Sequence, residues 1–411
     1  AGAVDLKAGG TSLNLPLKRI ADLAKAGWYS GDLHIHRPLK DIPLLIRAED
    51  LHIAPVITWW NNRNLWRDKP IPENILGELP GSRFIHAMAG EDEREGGALL
   101  YFHLSQPLAI TGASREHPSP MKFLAASQKH PGAWVDIEKP FWWDVPLWLS
   151  SGQCDSIGLA NNHMCRSSVY ASEAWGKPRD TKRLPAPLGN GRWTQEIYYH
   201  LLNCGLRLPP SAGSASGVLP NPVGYNRVYV NMDGALTWEK WWQGLKAGRS
   251  FVTNGPLLRV RVNNEWPGAL FKMDDVGLPV RFEIELTTKD RVRAIEVVHN
   301  GAVVKKIPCA DRLHQKIEAE WKAKDGGWFL LRAITDKANT FRFASSAPFY
   351  LETGKPRISR SSAKFFLDWV KERQARVPVK LTNAAQLLEV MFHHRAAQKF
   401  WEEKLRQANS D

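Results

Sequence analysis

Between about residues 28 and 257, short apolar runs alternate with stretches of helical spacing, and this alternation leaves the chain few ways to fold. LHIAPVITWW, FIHAMAG, ALLYFHLSQP and DSIGLANN read as strands; PLLIRAED and MKFLAASQKH carry apolar and charged residues at helical intervals. Strand–helix alternation predicts an α/β layout with a mainly parallel sheet or barrel. The Pro- and Gly-rich stretches RDKPIPENILGELPGS and KRLPAPLGNGR are expected as long loops, which in such domains tend to shape a site.

WEKWWQGLKAGRS reads as an amphipathic helix ending near Gly248, after which the texture changes. LLRVRVNN, VRFEIELTT, AIEVVHNG, WFLLRAIT and FRFASSAPFYLE alternate with period two, and His299-Asn300-Gly301 supplies a hairpin turn. Beyond Gly354-Lys355-Pro356, two helices are expected, from Ser362 to about Arg376 and from a Thr382 cap to about Gln407. Their apolar stripes include Phe365, Phe366, Trp369, Phe392, Phe400 and Trp401, and are expected to pack back on the body. The division is therefore 1–256 for the main domain, 257–354 for a β-sandwich-like accessory domain and 355–411 for a helical segment.

Charge and composition narrow the function. The net charge is +13, but the basic residues are scattered without a Lys/Arg-rich block, so a nucleic-acid partner is not expected. No apolar run reaches the roughly 20 residues that span a bilayer, so no membrane embedding is expected. The opening AGAVDLKAGG reads as a mature end left by processing or by cloning, and on the first of these a secreted or periplasmic protein is expected. Cys154, Cys165, Cys204 and Cys309 lack CxxC spacing, which argues against a thiolate zinc site and leaves a Cys154–Cys165 bridge or free thiols. The 18 tryptophans cluster around Trp59-Trp60-Trp66, Trp142-Trp143-Trp148 and Trp238-Trp241-Trp242. Most are expected in the core, and some can wall a sugar or aryl site.

The residues with chemistry begin at Gly31-Asp32-Leu33-His34-Ile35-His36. On an extended chain, residues two apart share a face, so His34 and His36 can address one point. Neutral imidazoles suit zinc and neighbouring first-row metals, and Asp32 can ligate or orient a histidine from behind. Glu138 can ligate metal or serve as general base, and Lys139 can orient substrate or stabilise developing negative charge. A plain salt bridge, Glu138–Lys139 or Lys139–Asp144, is the alternative. Arg166, Arg179 and Arg227 follow apparent strands and can bind an anionic group.

GWYSGDLHIHR resembles the opening motif of the PHP superfamily of metallohydrolases, specifically the CehA/McbA-type branch that includes carbaryl hydrolases. MAGEDEREGGALLYFHL looks like that family's glutamate strand, and WWQGLKAGRSFVTNGPLLRVRVN resembles the end of its catalytic domain. The likeness covers roughly residues 27 to 270 and implies a distorted (β/α)7 barrel followed by a small antiparallel β-domain and C-terminal helices. It implies a divalent metal, zinc with manganese as the alternative, held by His34, His36 and Glu91, with Glu93 the rival two residues on. His103, about a dozen residues further on, is a candidate for a further ligand, with a satisfied, partly buried histidine the alternative. The chain departs from the pattern at Thr58-Trp59-Trp60-Asn61, at Lys139-Pro140 and at Gly213-Ser214-Ala215-Ser216-Gly217. These departures exclude a trinuclear site and leave one metal ion or two. His163, directly after an apolar strand, is expected to fill the gap.

The resemblance implies a metal-dependent hydrolase acting on an ester, carbamate, amide or phosphoester. The expected partner is a small-molecule or glycan substrate, anionic or aromatic. The competing readings are a metal-dependent glycosidase or lyase, and a non-catalytic carbohydrate-binding protein on a degenerate PHP barrel.

Overall fold

The computed structural model describes residues 18–61, 63–274 and 276–411. The AGAVDLKAGG opening lies outside the described residues. The fold is mixed α/β, with one large mixed sheet and a smaller antiparallel one.

The main body uses strands β1 (Trp28–Gly31), β2 (Ile53–Trp60), β3 (Arg63–Asn64), β4 (Leu76–Leu79), β5 (Arg83–Arg94), β6 (Gly97–Phe102), β7 (Trp134–Ile137), β8 (Ser156–Ala160), β9 (Pro210–Ala212), β10 (Arg227–Asn231) and β11 (Ser250–Thr253). Its helices are α1 (Ile42–Ala48), α2 (Pro120–Ser127), α3 (Val145–Ser151), α4 (Gly189–Asn203) and α5 (Trp238–Lys246). Pairing is parallel for β1–β2, β2–β5, β7–β8 and β8–β9. It is antiparallel for β5–β6, β6–β7, β1–β10 and β10–β11. The mainly parallel sheet expected from the sequence is thus a mixed one. The cause is local: no helix separates β5 from β6, which turn at Glu95-Gly96 with Arg94 opposite Gly97. The segment that follows β1 also pairs with β9 and the residues after it: Leu33 N–H donates to Ala212 C=O at 3.0 Å and His36 N–H to Ser216 C=O at 2.8 Å.

Local chemistry explains the helix starts. Ser119 caps α2 by accepting from the Met121 N–H, and Thr237 caps α5 by accepting from the Lys240 N–H. The α5 helix terminates at a left-handed Gly248. Helix α4 begins inside the stretch expected to be a loop, and its Trp193, Ile197, Tyr198 and Leu201 are buried. Most of the tryptophans fill the core; Trp59, Trp142, Trp148 and Trp241 are among its largest fully buried side chains.

Residues 257–354 add β12 (Leu257–Val262), β13 (Leu270–Lys272), β14 (Leu278–Thr287), β15 (Val292–His299), β16 (Ala302–Pro308), β17 (His314–Ala323), β18 (Gly327–Thr335), β19 (Phe343–Ser346) and β20 (Phe349–Glu352). Strands β12, β14 and β17 form the small antiparallel sheet, and their inward side chains share a core with those of β15 and β18. The other layer is hydrogen-bonded to the main sheet through β11 and β19. Hairpin β15–β16 turns on Asn300 and Gly301 at φ of 50° and 90°. Both angles lie in the left-handed region that a two-residue hairpin of this type requires.

Helices α6 (Arg360–Lys380) and α7 (Ala384–Arg406) pack against each other and against α3. Phe366 stacks on Trp401 at 4.6 Å, and Trp401 Nε1 donates to Pro146 C=O at 2.9 Å. The second helix is capped by Asn383 rather than Thr382, through the Gln386 N–H. Phe392 is 66% exposed and faces away from the body, unlike the rest of the expected stripe. All four cysteines are free thiols, so Cys154 and Cys165 are not bridged. Among the described residues no helix is long and apolar enough to cross a membrane.

Arg373 fastens α6 to the body. Its guanidinium makes a two-pronged contact with Glu116, at 3.0 and 2.6 Å, and donates to Asp144 at 2.7 Å, with all three side chains buried. The Asp144 N–H in turn donates to Gly96 C=O, in the hairpin that joins β5 to β6. Arg373→Ala leaves two buried carboxylates without their cation, a loss on the order of 3–5 kcal/mol. In urea denaturation we expect that loss for Arg373→Ala and less than about 1 kcal/mol for exposed Arg395→Ala. Equal effects would contradict the assignment.

Candidate metal centre

The segment after β1 stays extended. Ile35 bridges Val56 on one side and Ser216 on the other, and its side chain is buried with Ile42, Ile46 and Val223. Alternation then sends His34 and His36 to the opposite face. Asp32 fixes the segment from within. Its Oδ1 accepts the N–H groups of His34 at 3.0 Å and Ser214 at 2.9 Å, and its Oδ2 accepts the Gly224 N–H at 2.7 Å and the Ser214 hydroxyl. Those bonds use the carboxylate fully, so Asp32 anchors loops rather than ligating. Gly213 closes over this turn, where an added Cβ would fall 2.4 Å from the His34 Cβ. Only glycine fits there.

Glu91 comes from β5, opposite Trp60 of β2. Its Oε2 lies 3.5 Å from His34 Nε2 and 3.1 Å from His36 Nε2, and the two Nε2 atoms are 2.9 Å apart. Metal bonds of about 2.0–2.1 Å in a tetrahedral zinc shell separate neighbouring ligand atoms by about 3.3 Å. The triad of His34, His36 and Glu91 can therefore hold a metal ion. The donor set, two imidazoles and a carboxylate, suits zinc or manganese.

Strand alternation turns Asp92 out of the acidic run, and position along β5 separates Glu91 from Glu93. Glu91 and Glu93 face the cavity, whereas Asp92 turns the other way to Arg94, Nε to Oδ1, at 2.8 Å. Glu91 reaches the imidazoles; Glu93 lines the wall further along and is not in the triad. Burial pushes the Glu93 carboxyl up to about 7, helped by the charges of Glu91 and Glu138. For Glu91, burial also pushes upward, but His34 and His36 outweigh it and hold the carboxylate below its ordinary range. Burial works against a charged His34, yet Glu91 and Glu138 raise it to about 10. His36 is lowered, first by burial.

Glu138 sits directly behind His34, with Oε1 3.3 Å from His34 Nδ1. It also accepts from Asn162 Nδ2 at 2.7 Å, from Trp142 Nε1 at 2.8 Å and from the Lys139 ammonium. A carboxylate on the far ring nitrogen of a ligating histidine sets its orientation and tautomer. The Glu138–Lys139 salt bridge considered from the sequence is present, and Asp144 pairs with Arg373 instead.

The triad opens into a cavity of about 230 Å³. Its walls include Trp60, Trp142, Tyr170, Trp175, Ala215 and Leu219. Trp60 packs edge-on to His36 at 4.6 Å, and Trp142 stacks with Trp175 at 4.8 Å. Tyr170, Trp175 and Asn162 escaped the sequence reading. Tyr170 and Trp175 sit in a loop without periodicity, whereas Asn162, directly before His163, carried a usable signal.

The remaining candidates divide. His163 lines the same cavity between Phe141 and Tyr170 but is not part of the triad, and burial lowers it to about 3. His103 does not belong to the site. It follows β6, which runs antiparallel to β5, so it emerges at the opposite end and packs against His86, Trp238 and Trp242. Arg227 is also elsewhere. Its neighbour Val228 faces the core, and alternation turns the guanidinium outward to Gly224 C=O and Glu49 C=O. It lines a separate groove of about 730 Å³, together with Arg166. Arg179 is buried against Glu173, Ala171 and Leu184. None of these arginines lines the cavity; Lys139 is its one Lys or Arg among the described residues.

A scan against protein-family models matches none, and a search of curated proteins finds no match.

The position of His103 carries a prediction. Burial lowers His86 to about 3 and His103 to about 4. The unfolded chain binds these protons near pH 6.5, so stability is full above that pH and declines as pH falls toward 4. His103 has φ of 61°, a backbone that asparagine tolerates. Between pH 7 and 5, His103→Asn should lose about 1–2 kcal/mol less stability than the parent. Parallel pH profiles from chemical denaturation would contradict this.

Proposed function

We propose that this chain is a metal-dependent hydrolase, similar to PHP-superfamily enzymes of the CehA/McbA-type branch. The pairing of the segment after β1 with that at and after β9, at Leu33–Ala212 and His36–Ser216, supports reading the main body as a distorted PHP-type barrel. The single observation that carries the proposal is the approach of His34 Nε2, His36 Nε2 and Glu91 Oε2 to one point at the base of a cavity. A divalent cation bound there, zinc or alternatively manganese, supplies an acidified water and polarises a carbonyl or phosphoryl oxygen.

The chain's own groups have distinct tasks. His34, His36 and Glu91 hold the cation, and Glu138 holds the His34 ring through Nδ1. Lys139 fixes a positive charge in the wall, suited to an oxygen that gains negative charge during attack. The aromatic side chains of Trp60, Trp142, Tyr170 and Trp175 exclude water and seat a flat group. The ester, carbamate, amide or phosphoester that reacts must present its scissile bond inside about 230 Å³, while larger parts stay outside. Action in a secreted or periplasmic location belongs to this proposal, and the four free thiols do not depend on an oxidising compartment.

The aromatic wall also favours a second reading, a glycan-active enzyme or a carbohydrate-binding protein, because sugar rings stack on such faces. One panel separates them: aryl esters, carbamates, phosphoesters and acidic polysaccharides, tested on zinc- and manganese-loaded protein. We expect hydrolysis of a small ester-type substrate, lost by at least about 100-fold in His34→Ala and in Glu91→Gln together with the bound metal. Sugar binding that survives both substitutions, without turnover of any panel member, would favour the binding protein and overturn the hydrolase.

A further inference from the structure

Lys139 is a buried ammonium at the edge of a candidate metal centre, and its surroundings bear on how many cations that centre takes. Lys139 and Glu138 are 4% and 3% exposed. A charge so removed from water persists only with a partner, and the Lys139 ammonium contacts both oxygens of Glu138. It also lies over the Trp142 ring, 4.6 Å from its centre.

Glu138 has no acceptor capacity left. Oε1 faces the Lys139 ammonium, Asn162 Nδ2 and His34 Nδ1, and Oε2 faces the Lys139 ammonium and Trp142 Nε1. Two oxygens offer about four lone-pair directions, and five contacts converge on them. Two-metal hydrolytic sites place their ions about 3.5–4 Å apart, so a second ion needs a carboxylate close to the first. Glu138 is the acid in contact with His34 on the side away from Glu91, and it is already neutralised.

We propose that Lys139 is the centre's built-in second cation: by occupying Glu138 it restricts the site to one metal ion per chain. This rests on the hydrolase reading above for the first ion, and concerns only what prevents a second. The role is electrostatic and steric. A dication entering beside Glu138 would meet the ammonium at close range, where low local polarity magnifies repulsion.

The test is metal stoichiometry on the full chain. Zinc-saturated, desalted protein is assayed by inductively coupled plasma mass spectrometry, and cobalt-substituted protein by electron paramagnetic resonance. The parent should hold one equivalent, with the signal of an isolated cobalt ion. Lys139→Met frees Glu138 and should rise to two equivalents, with spin coupling between neighbouring ions. Glu138→Gln/Lys139→Met removes the acid as well and should return to one. Two coupled ions in the parent, or a folded Lys139→Met that stays at one, would overturn the inference. Lys139→Gln, which keeps a hydrogen-bond donor beside Glu138 but not the charge, is the second variant: it should also rise above one equivalent, and a folded protein that stays at one would overturn the inference. No bound metal in the parent would overturn the hydrolase reading itself, a different result from two.

Discussion

Two imidazole nitrogens 2.9 Å apart, both within 3.5 Å of a carboxylate oxygen and largely shut off from water, form an arrangement that needs a positive charge to hold it. A buried carboxylate without a counter-charge carries a desolvation cost of several kcal/mol. A proton on His34 meets part of that need, as the strong upward pull of Glu91 and Glu138 on that imidazole indicates. A divalent cation would meet it more fully, because it could engage all three atoms at once. The surrounding architecture is organised around this constraint.

The supports are layered. Asp32 knots the histidine segment to the Ser214 turn and the Gly224 loop, drawing together residues nearly 200 positions apart in the chain. Glu138 steadies His34 from behind. Asn221 ties the Asn162 and Ser214 carbonyls, so the loops after β8 and β9 hold the same rim. Further out, Arg373 of α6 reaches Asp144, whose backbone grips the hairpin following Glu91. The C-terminal helices thus brace the strand that delivers the carboxylate.

Much of this was legible in the residues, and the rest was not for identifiable reasons. His34 and His36 were readable because period-two geometry is local. Glu91 and Glu93 share the inward face of β5, so they could be separated only by their height along the strand relative to the histidines, which its pairing with β2 sets. The mixed sheet was missed because ALLYFHLSQP has the same apolar texture whether its strand runs parallel or antiparallel. That one direction also removed His103 from the site, since an antiparallel strand delivers its last residues to the far end. Arg227 failed for the opposite reason: it sits at the correct end of its strand but on the wrong face. Glu138 and Lys139 were recognised as a pair, yet their relation to the Nδ1 side of His34 needed three dimensions. Helix α4 was hidden by Pro185 and Pro187 before it and by Gly189 and Gly191 in its first turn, although TQEIYYHLLN carries the helical spacing.

The most direct test is anomalous X-ray scattering from crystals grown with zinc, recorded on both sides of the zinc absorption edge. The expected result is a peak bonded to His34 Nε2, His36 Nε2 and a Glu91 oxygen, at about 2.0–2.2 Å from each. Zinc bound only elsewhere, with the two imidazoles and the carboxylate hydrogen-bonded to one another, would contradict it.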